Sequence, residues 1–185
     1  FFTPLDGKHA DDFLSKNSVD KGDFIAVINP GGNWLLKRWP VDYWARLADK
    51  LINQLGLKVV ITGSVSDLKL AGQIKEKMKE TPLIACGILN IKQLGALAKR
   101  ADLFITADTG PLHIANAIGC KNIIAIFGPT SKQVTGPYPS ANVVVLQKDV
   151  GCPIPCYKVN CRDSRCMKAV SPGDVLAEVK KIRKP

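Results

Sequence analysis

The chain has 185 residues, of which 46% are hydrophobic and 6% aromatic, and its formal net charge is +10. This length suits one domain, and the sequence contains no apolar run of the roughly 18 residues that a membrane-spanning helix needs. The charge predicts an anionic partner, with a basic solvated surface as the alternative. Basic residues interleaved with aromatic ones, typical of nucleic-acid platforms, are not found.

Apolar runs alternate with helical patterns along most of the chain. The strands are predicted at residues 24–29, 58–62, 82–86, 103–107, 122–128 and 142–147. Helices are predicted to begin at Pro40, Leu68, Ile91 and Gly110, and a last one covers residues 172–183. Because the strands are continuous apolar runs, they predict a parallel sheet buried on both faces: an α/β, doubly wound, Rossmann-like fold. Such sheets bind ligands beyond the carboxyl ends of their strands.

The turn after the first predicted strand is rich in glycine and ends with two cations. Gly31 and Gly32 would let a ligand approach the backbone, and Lys37 and Arg38 lie just before a helix. A phosphate bound there would meet both cationic side chains and free helix N–H groups. A glycine loop with solvated cations is the alternative interpretation.

The turn after the fourth predicted strand reads Asp-Thr-Gly-Pro and opens a helix. Asp108 or Thr109 is expected to cap that helix, Gly110 removes a side-chain barrier, and Pro111 suits the first turn. The arrangement would present N–H groups to a diphosphate, to which His113 would add a hydrogen bond or a positive charge. Alternatively, Asp108 is only a cap and His113 a surface or packing residue.

Two further turns carry polar residues. Asp67 follows the second predicted strand, where an acidic residue either accepts hydrogen bonds from ribose hydroxyls or stabilises a helix start. Gly128, Thr130 and Ser131 follow the fifth strand and either hold ligand atoms or form an ordinary capped turn. The glycine fingerprint of dinucleotide-binding proteins is absent, which disfavours a nicotinamide cofactor.

Four of the six cysteines lie close together, at Cys152, Cys156, Cys161 and Cys166. Four thiols at such short spacing are compatible with a structural zinc ion, although two C-x-x-C pairs would be the stronger signal. Free thiols and disulfides are the other interpretations, and a reducing compartment favours free thiols.

Four segments occur in an order that matches a known family: residues 29–40, 107–119, 126–131 and 152–167. With them the chain resembles the C-terminal half of the bacterial lipopolysaccharide heptosyltransferases, glycosyltransferase family nine. The resemblance covers residues 22–183. It implies a glycosyltransferase B fold, in which two Rossmann-like domains face each other across a cleft. Residues 22–185 would be the domain that binds the nucleotide-sugar donor, and residues 1–21 an interdomain linker or the start of a fragment.

The resemblance also implies a reaction. Heptose would pass from ADP-L-glycero-D-manno-heptose to the lipopolysaccharide inner core, with inversion and without a metal or cofactor. Lys37 would contact a donor phosphate, Asp108 would bind sugar hydroxyls, and Thr109 and Gly110 would offer N–H groups to the diphosphate. His113 belongs to the same motif.

The remaining donor contacts come from three other loops. Gly32 and Asn33 would lie near the phosphates, Leu89 would pack on adenine, and Asp67 would stand in for the family's ribose-binding acid. The family's catalytic base lies in the N-terminal domain, so no catalytic residue is assigned to this chain, which is expected to be inactive alone.

The expected partners are the nucleotide sugar and, through the N-terminal domain, a lipid-linked saccharide acceptor, with no nucleic acid. The expected location is the cytoplasm, and the basic residues 180–185 are consistent with peripheral contact with the anionic inner membrane. The alternatives are a UDP-sugar epimerase or another nucleotide-sugar transferase of the same fold, and a non-enzymatic zinc or nucleic-acid binding module.

Overall fold

The computed structural model describes residues 1–140, 142–158 and 160–183. The strands are β1 (Ile25–Asn29), β2 (Lys58–Ile61), β3 (Leu83–Ile84), β4 (Leu103–Ala107), β5 (Ile123–Ile126) and β6 (Val143–Leu146). The helices are α1 (Pro4–Lys16), α2 (Val41–Leu55), α3 (Leu68–Lys77), α4 (Ile91–Arg100), α5 (Gly110–Ala117), α6 (Lys132–Thr135), α7 (Arg165–Ala169) and α8 (Pro172–Ile182). Short 3₁₀ turns cover Leu35–Lys37 and Val65–Asp67.

All six strands form one sheet in the order β3-β2-β1-β4-β5-β6, and every neighbouring pair is parallel. The order runs outward in one direction from β1 and in the other from β4, which confirms the predicted doubly wound sheet. The direction of winding changes between β1 and β4, where the loops after the two strands diverge and leave a crevice. None of the described helices has the length and apolar character needed to cross a bilayer.

Alternate residues of the central strands enter two separate cores. In β1, Ala26 and Ile28 pack in the core beneath α2, α3 and α8. The intervening residue Val27 packs in the core beneath α1, α4 and α5. Every residue of β1, β4 and β5 is buried, which is why these strands show no polar alternation in the sequence.

The loop between β1 and α2 is anchored by a tryptophan. Trp39 is 2% exposed, and its indole Nε1 donates a hydrogen bond of 2.8 Å to the carbonyl oxygen of Val170. Its ring also packs edge-on against Trp44 of α2, with the ring centroids 5.0 Å apart. This anchor lies two residues after Lys37, so the core of the domain fixes one end of the cationic loop.

Helix α1 is the main feature that the sequence analysis missed. Thr3 and Asp6 form a capping box at its start, and Ala10, Phe13 and Leu14 are buried in the core shared with α4. The carboxylate of Asp11 binds the guanidinium of Arg100 on α4. Within the segment 1–21, which was expected to be a linker or fragment start, residues 4–16 therefore pack as part of this domain.

Replacing Phe13 with alanine tests whether α1 stabilises the domain. Phe13→Ala is expected to lower the free energy of unfolding by about 3 kcal/mol, because it leaves a cavity in the core beneath α1. Urea denaturation followed by circular dichroism measures the change.

The matched control is Asp12→Ala, an exposed position on the same helix, where the expected change is within about 0.5 kcal/mol. Equal stability of the two variants would mean that α1 is not docked on the sheet in solution.

Candidate functional site

A cavity of about 520 Å³ lies at the carboxyl edge of the sheet, beside the crevice between β1 and β4. It contains eight of the nine residues for which donor contacts were expected: Gly32, Asn33, Lys37, Asp67, Leu89, Asp108, Thr109 and Gly110. Gly31 and Pro111, from the two turns that the sequence analysis singled out, also line it, and the residues that sequence reasoning did not place there are Asn29, Trp34, Gly63, Ser64, Asn90, Ile91, Leu94 and Ile114. The structure thus brings loops from β1, β2, β3 and β4 together at one place.

The charged end of the cavity is built around Asp108. Its side chain is 4% exposed, and Oδ2 accepts a hydrogen bond of 2.7 Å from Nζ of Lys37. The same oxygen accepts a hydrogen bond of 2.9 Å from the hydroxyl of Thr135 on α6. The indole ring of Trp34 lies 5.6 Å from Nζ of Lys37. Lys37 and Asp108 come from the loops after adjacent parallel strands, which explains how residues 71 positions apart form a close ion pair.

The start of α5 faces the cavity without a side-chain cap among the described residues. Thr109 occupies the N-cap position of this helix, as one of the two predicted candidates, but neither its side chain nor that of Asp108 makes the expected capping hydrogen bond. The carboxylate of Asp108 turns instead to Lys37 and Thr135, and the hydroxyl of Thr109 lies 3.2 Å from that of Thr106. Gly110 and Pro111 both line the cavity, so the positive end of the α5 dipole is open to an anion.

The two glycines after β1 are needed for the loops to pack together. A Cβ on Gly31 would lie 2.6 Å from the carboxylate carbon of Asp67, and one on Gly32 would lie 2.9 Å from the methyl group of Thr109. Either contact is too short for a real side chain. The sequence analysis attributed these glycines to the approach of a ligand; both line the cavity, and the structure adds that they make room for neighbouring side chains.

Asp67 has the helix-start role that was one of the two interpretations of the sequence, and it also lies at the cavity. Its Oδ2 accepts hydrogen bonds from the backbone N–H of Ser64, at 2.9 Å, and from the Ser64 hydroxyl, at 2.7 Å. It therefore acts as a helix-start acid in a capping box, and it also lines the cavity. Arg38 lies outside the cavity lining: it donates to the carbonyl oxygen of Gly32, and its Nη2 lies 3.9 Å from Oδ1 of Asp67.

An apolar group lines another part of the cavity. Leu89 lies there with Ile91, Leu94 and Ile114. Ile91 begins α4, as the sequence analysis predicted, but its side chain is 62% exposed rather than packed in the core. Ile91 lies in the first turn of α4, the helix that follows β3. Helix starts at the carboxyl edge of a doubly wound sheet face the ligand crevice rather than the core, and this position is the signal that sequence reasoning missed.

Of the nine residues for which donor contacts were expected, His113 is the one that does not line the cavity. It is exposed on α5. Pro111 and Ile114, three residues apart, share the helix face that does. The intervening positions point elsewhere, and Leu112 enters the core.

A second cavity, of about 530 Å³, is lined by all four clustered cysteines together with Leu36, Pro129, Ile154 and Tyr157. All six cysteines of the chain have free thiols. Over the residues that the structure describes, no group of three or more histidine, cysteine or acidic side chains is placed to hold a metal ion. The predicted alternative of a zinc ion at Cys152, Cys156, Cys161 and Cys166 therefore has no preformed site there.

The thiols of Cys86, Cys120, Cys161 and Cys166 differ in pKa. Hydrogen bonds from the backbone N–H groups of Ser164 and Asp163 lower the pKa of Cys161. Burial raises the pKa of Cys86 to about 12 and that of Cys120 to about 11. Burial also raises the pKa of Cys166 above the ordinary thiol value.

Alkylation with iodoacetamide is expected to follow this order. Because a thiolate is the reactive species, Cys161 should react first as the pH rises towards about 8, and Cys86 and Cys120 last. Mass spectrometry of peptides sampled over time measures each rate.

Protein unfolded in urea provides the reference, in which all six cysteines should react at similar rates. Modification of Cys86 or Cys120 as fast as Cys161 in the folded protein would contradict the described environment.

A family model described as glycosyltransferase family 9 (heptosyltransferase) matches residues 5–165. The lipooligosaccharide heptosyltransferase 2 of Campylobacter jejuni subsp. jejuni serotype O:6 (strain 81116 / NCTC 11828) is 31% identical over 173 residues, which are 90% of this chain and 54% of that protein. The lipopolysaccharide heptosyltransferase 3 of Escherichia coli (strain K12) is 27% identical over 190 residues, 98% of this chain and 54% of that protein. The chain thus spans about half the length of these relatives.

Two solved structures agree with the described fold. The glycosyl transferase family 9 protein from Veillonella parvula DSM 2008 superposes with a TM-score of 0.88 at 26% identity, over 98% of this chain and 52% of the other. The E. coli ADP-heptose lps heptosyltransferase II superposes with a TM-score of 0.79 at 23% identity, over 95% of this chain and 51% of the other. The second likeness supports the fold alone.

Proposed function

Because this chain belongs to glycosyltransferase family 9, the heptosyltransferase family, we propose that it is the donor-binding domain of an enzyme of lipopolysaccharide synthesis. The donor is ADP-L-glycero-D-manno-heptose, and the heptose passes with inversion, and without a metal, to the inner core. The observation that carries the proposal is the cavity itself, in which Lys37, Asp108 and the uncapped start of α5 lie together at one end.

The diphosphate of the donor binds at this charged end. Lys37 supplies a positive charge, and the start of α5 at Thr109 and Gly110 supplies backbone N–H groups and the positive end of the helix dipole. Gly32 and Asn33 line the same cavity, which supports our assignment of both to the surroundings of the phosphates. A phosphate oxygen competes with Asp108 for Lys37, so donor binding draws the ammonium group from the carboxylate towards the diphosphate.

The sugar and the nucleoside occupy the two sides of the diphosphate. Asp108 is an acceptor for hydroxyl groups of the heptose, because an ionised carboxylate accepts hydrogen bonds only. Leu89 packs on the adenine ring with its apolar neighbours Ile91 and Leu94, and Asp67 lies within the cavity as the acceptor for ribose hydroxyls. His113 is left out of the proposal, because it does not line the cavity.

Catalysis needs two groups, of which this chain supplies one. Transfer with inversion requires a base for the acceptor hydroxyl and stabilisation of the departing diphosphate. Lys37 and the start of α5 provide the stabilisation. The carboxylates that line the cavity are Asp67 and Asp108, and both are already held by neighbours. We therefore assign the base to the half of the relatives that this chain does not span.

The acceptor is a lipid-linked saccharide, held by that other half, at the cytoplasmic face of the inner membrane. The formal net charge of +10 favours peripheral contact with an anionic surface. The basic C-terminal segment contributes Lys180, Lys181 and Arg183 at the end of α8, while Lys184 and Pro185 lie outside the described residues. Membership of the family disfavours the epimerase and the zinc or nucleic-acid module.

Replacing Lys37 with alanine tests the diphosphate contact. Lys37→Ala is expected to weaken binding of ADP and ADP-heptose by about 10- to 100-fold, because a charge-assisted hydrogen bond is lost. Isothermal titration calorimetry with ADP, ADP-heptose, UDP and NAD measures both the affinity and the nucleotide preference.

Lys69→Ala is the control, because it removes the same charge from an exposed position on α3 and should leave the affinities unchanged. Preference for UDP would contradict the adenosine donor, and equal affinities of the Lys37→Ala and unchanged proteins would contradict the phosphate contact.

A second test concerns turnover. The 185-residue chain is expected to bind ADP-heptose but to release no ADP when a lipid-linked inner-core acceptor is added, because the base is supplied elsewhere. Chromatography of the nucleotides measures the released ADP, with a full-length relative as the positive control. Heptose transfer by this chain alone would overturn the assignment of the base.

A further inference from the structure

The carboxylate of Asp108 has two oxygens in different situations. Oδ2 accepts from both Nζ of Lys37, at 2.7 Å, and Oγ1 of Thr135, at 2.9 Å. Oδ1 accepts no hydrogen bond from any residue that the structure describes. Only Trp44 Nε1 and Thr130 Oγ1 are fully buried side-chain polar atoms without a partner among those residues. Oδ1 of Asp108 has no partner among the described residues and is not one of these two fully buried atoms, so it is accessible to solvent. Because Asp108 lines the cavity, Oδ1 is also available to a ligand there.

This asymmetry assigns the two oxygens separate tasks. Oδ2 is the oxygen by which the protein holds the side chain, and Oδ1 is the one available to a ligand hydroxyl. The direction in which Oδ1 points depends on the groups that hold Oδ2, because rotation about the bond to the carboxylate carbon moves both oxygens together.

We propose that Thr135 is a positioning residue that aims Oδ1 of Asp108 at the donor sugar. The proposal rests on the proposed function and adds a residue that neither the sequence motifs nor the family resemblance pointed to. Thr135 touches neither the diphosphate nor the reacting atoms in this account, and it acts only through the carboxylate of Asp108.

Lys37 is unsuited to this task, although its contact with Asp108 is shorter. Its side chain is 21% exposed and ends on a flexible four-carbon stem. When the donor binds, a diphosphate at the start of α5 draws the ammonium group of Lys37 away from Asp108, although Asp108 must then recognise the sugar. A carboxylate that is only 4% exposed then needs another donor, because an unpaired buried charge is costly.

Thr135 is held by contacts within its own helical turn, which do not involve the cavity lining. It ends the short helix α6, which follows β5, and its backbone N–H donates to the carbonyl oxygen of Ser131 at 2.9 Å. The hydroxyl has one proton and two acceptors in reach: Oδ2 of Asp108 at 2.9 Å and the Ser131 carbonyl oxygen at 3.2 Å. The shorter contact leads to the charged acceptor, which makes the stronger hydrogen bond.

The test compares affinities for ADP-heptose and ADP, since the difference isolates recognition of the sugar. Titration calorimetry is carried out on the unchanged chain and on Asp108→Asn, Thr135→Val and Thr135→Ser. Thr135→Val keeps the branched shape but loses the hydroxyl, and Thr135→Ser keeps the hydroxyl. Val134→Ala, at a 79% exposed neighbour on α6, is the matched control. Thermal unfolding of each variant verifies that it is folded.

The unchanged chain is expected to bind ADP-heptose more tightly than ADP. Thr135→Val should reduce this ratio by about tenfold, the loss that follows removal of a hydrogen bond to a charged group. Asp108→Asn should reduce it at least as much, and Thr135→Ser and Val134→Ala should keep it within about twofold.

Two kinds of failure are distinguishable. In the first, the unchanged chain prefers ADP-heptose and Asp108→Asn loses that preference. If Thr135→Val then keeps the preference, or if Thr135→Ser loses it as much as Thr135→Val does, the positioning role of Thr135 is wrong and the proposed function stands. If the unchanged chain does not prefer ADP-heptose, or if Asp108→Asn leaves the preference intact, the sugar-binding role of Asp108 fails and the positioning role fails with it.

Discussion

A carboxylate that is 4% exposed at the end of β4 governs the arrangement of this domain's carboxyl edge. A charge so deeply buried must be paired, and Asp108 obtains its partners from two different loops. Lys37 comes from the loop after β1, and Thr135 comes from the helix after β5. The loops that follow β1, β4 and β5 are thereby tied to one oxygen atom, and the cavity takes its shape from that connection.

The loops can meet at this point because the strands before them are parallel and adjacent. β4 lies between β1 and β5, so their carboxyl ends are neighbours whatever their separation along the chain. Trp39 fixes the far end of the loop after β1 to the core. Gly31 and Gly32 let the same loop lie directly against Asp67 and Thr109. A side chain at either glycine would push the β1 loop away from the loops after β2 and β4.

The resulting cavity has a charged part and an apolar part. This division is what a ligand with an anionic group and a flat nucleobase requires. The charged part is formed by Lys37, Asp108 and the open start of α5, and the apolar part by Leu89 and the isoleucine and leucine side chains near it. Under the proposed function, the fixed positive charge and the helix N–H groups of the charged part would stabilise a leaving diphosphate. The chain spans about half the length of these relatives.

The sequence by itself determined the sheet. Continuous apolar runs predicted six buried parallel strands, and all six are present, with ends shifted by at most two residues. The edge strands β3 and β6 are only half-buried, unlike the buried strands that were predicted. The sequence also determined which turns carry the site, because turn chemistry after a strand is local: eight of the nine predicted residues line the cavity. The helix α1 was missed because its buried residues are spaced among charged ones, and only its packing on α4 distinguishes it from a polar segment.

Only the tertiary structure decided how the side chains are used. The local sequence makes Asp108 a helix cap, but a distant lysine and threonine compete successfully for its carboxylate. His113 belongs to the motif that forms the start of α5, but it lies on a face of that helix that does not line the cavity. The rotation of the helix about its axis decides which face lines the cavity, and the motif does not encode it. Thr135 contacts Asp108 across 27 positions of sequence, and no local pattern encodes that contact. Local chemistry fixes which elements form and where they turn, whereas side-chain pairing depends on which loops the strand order brings together.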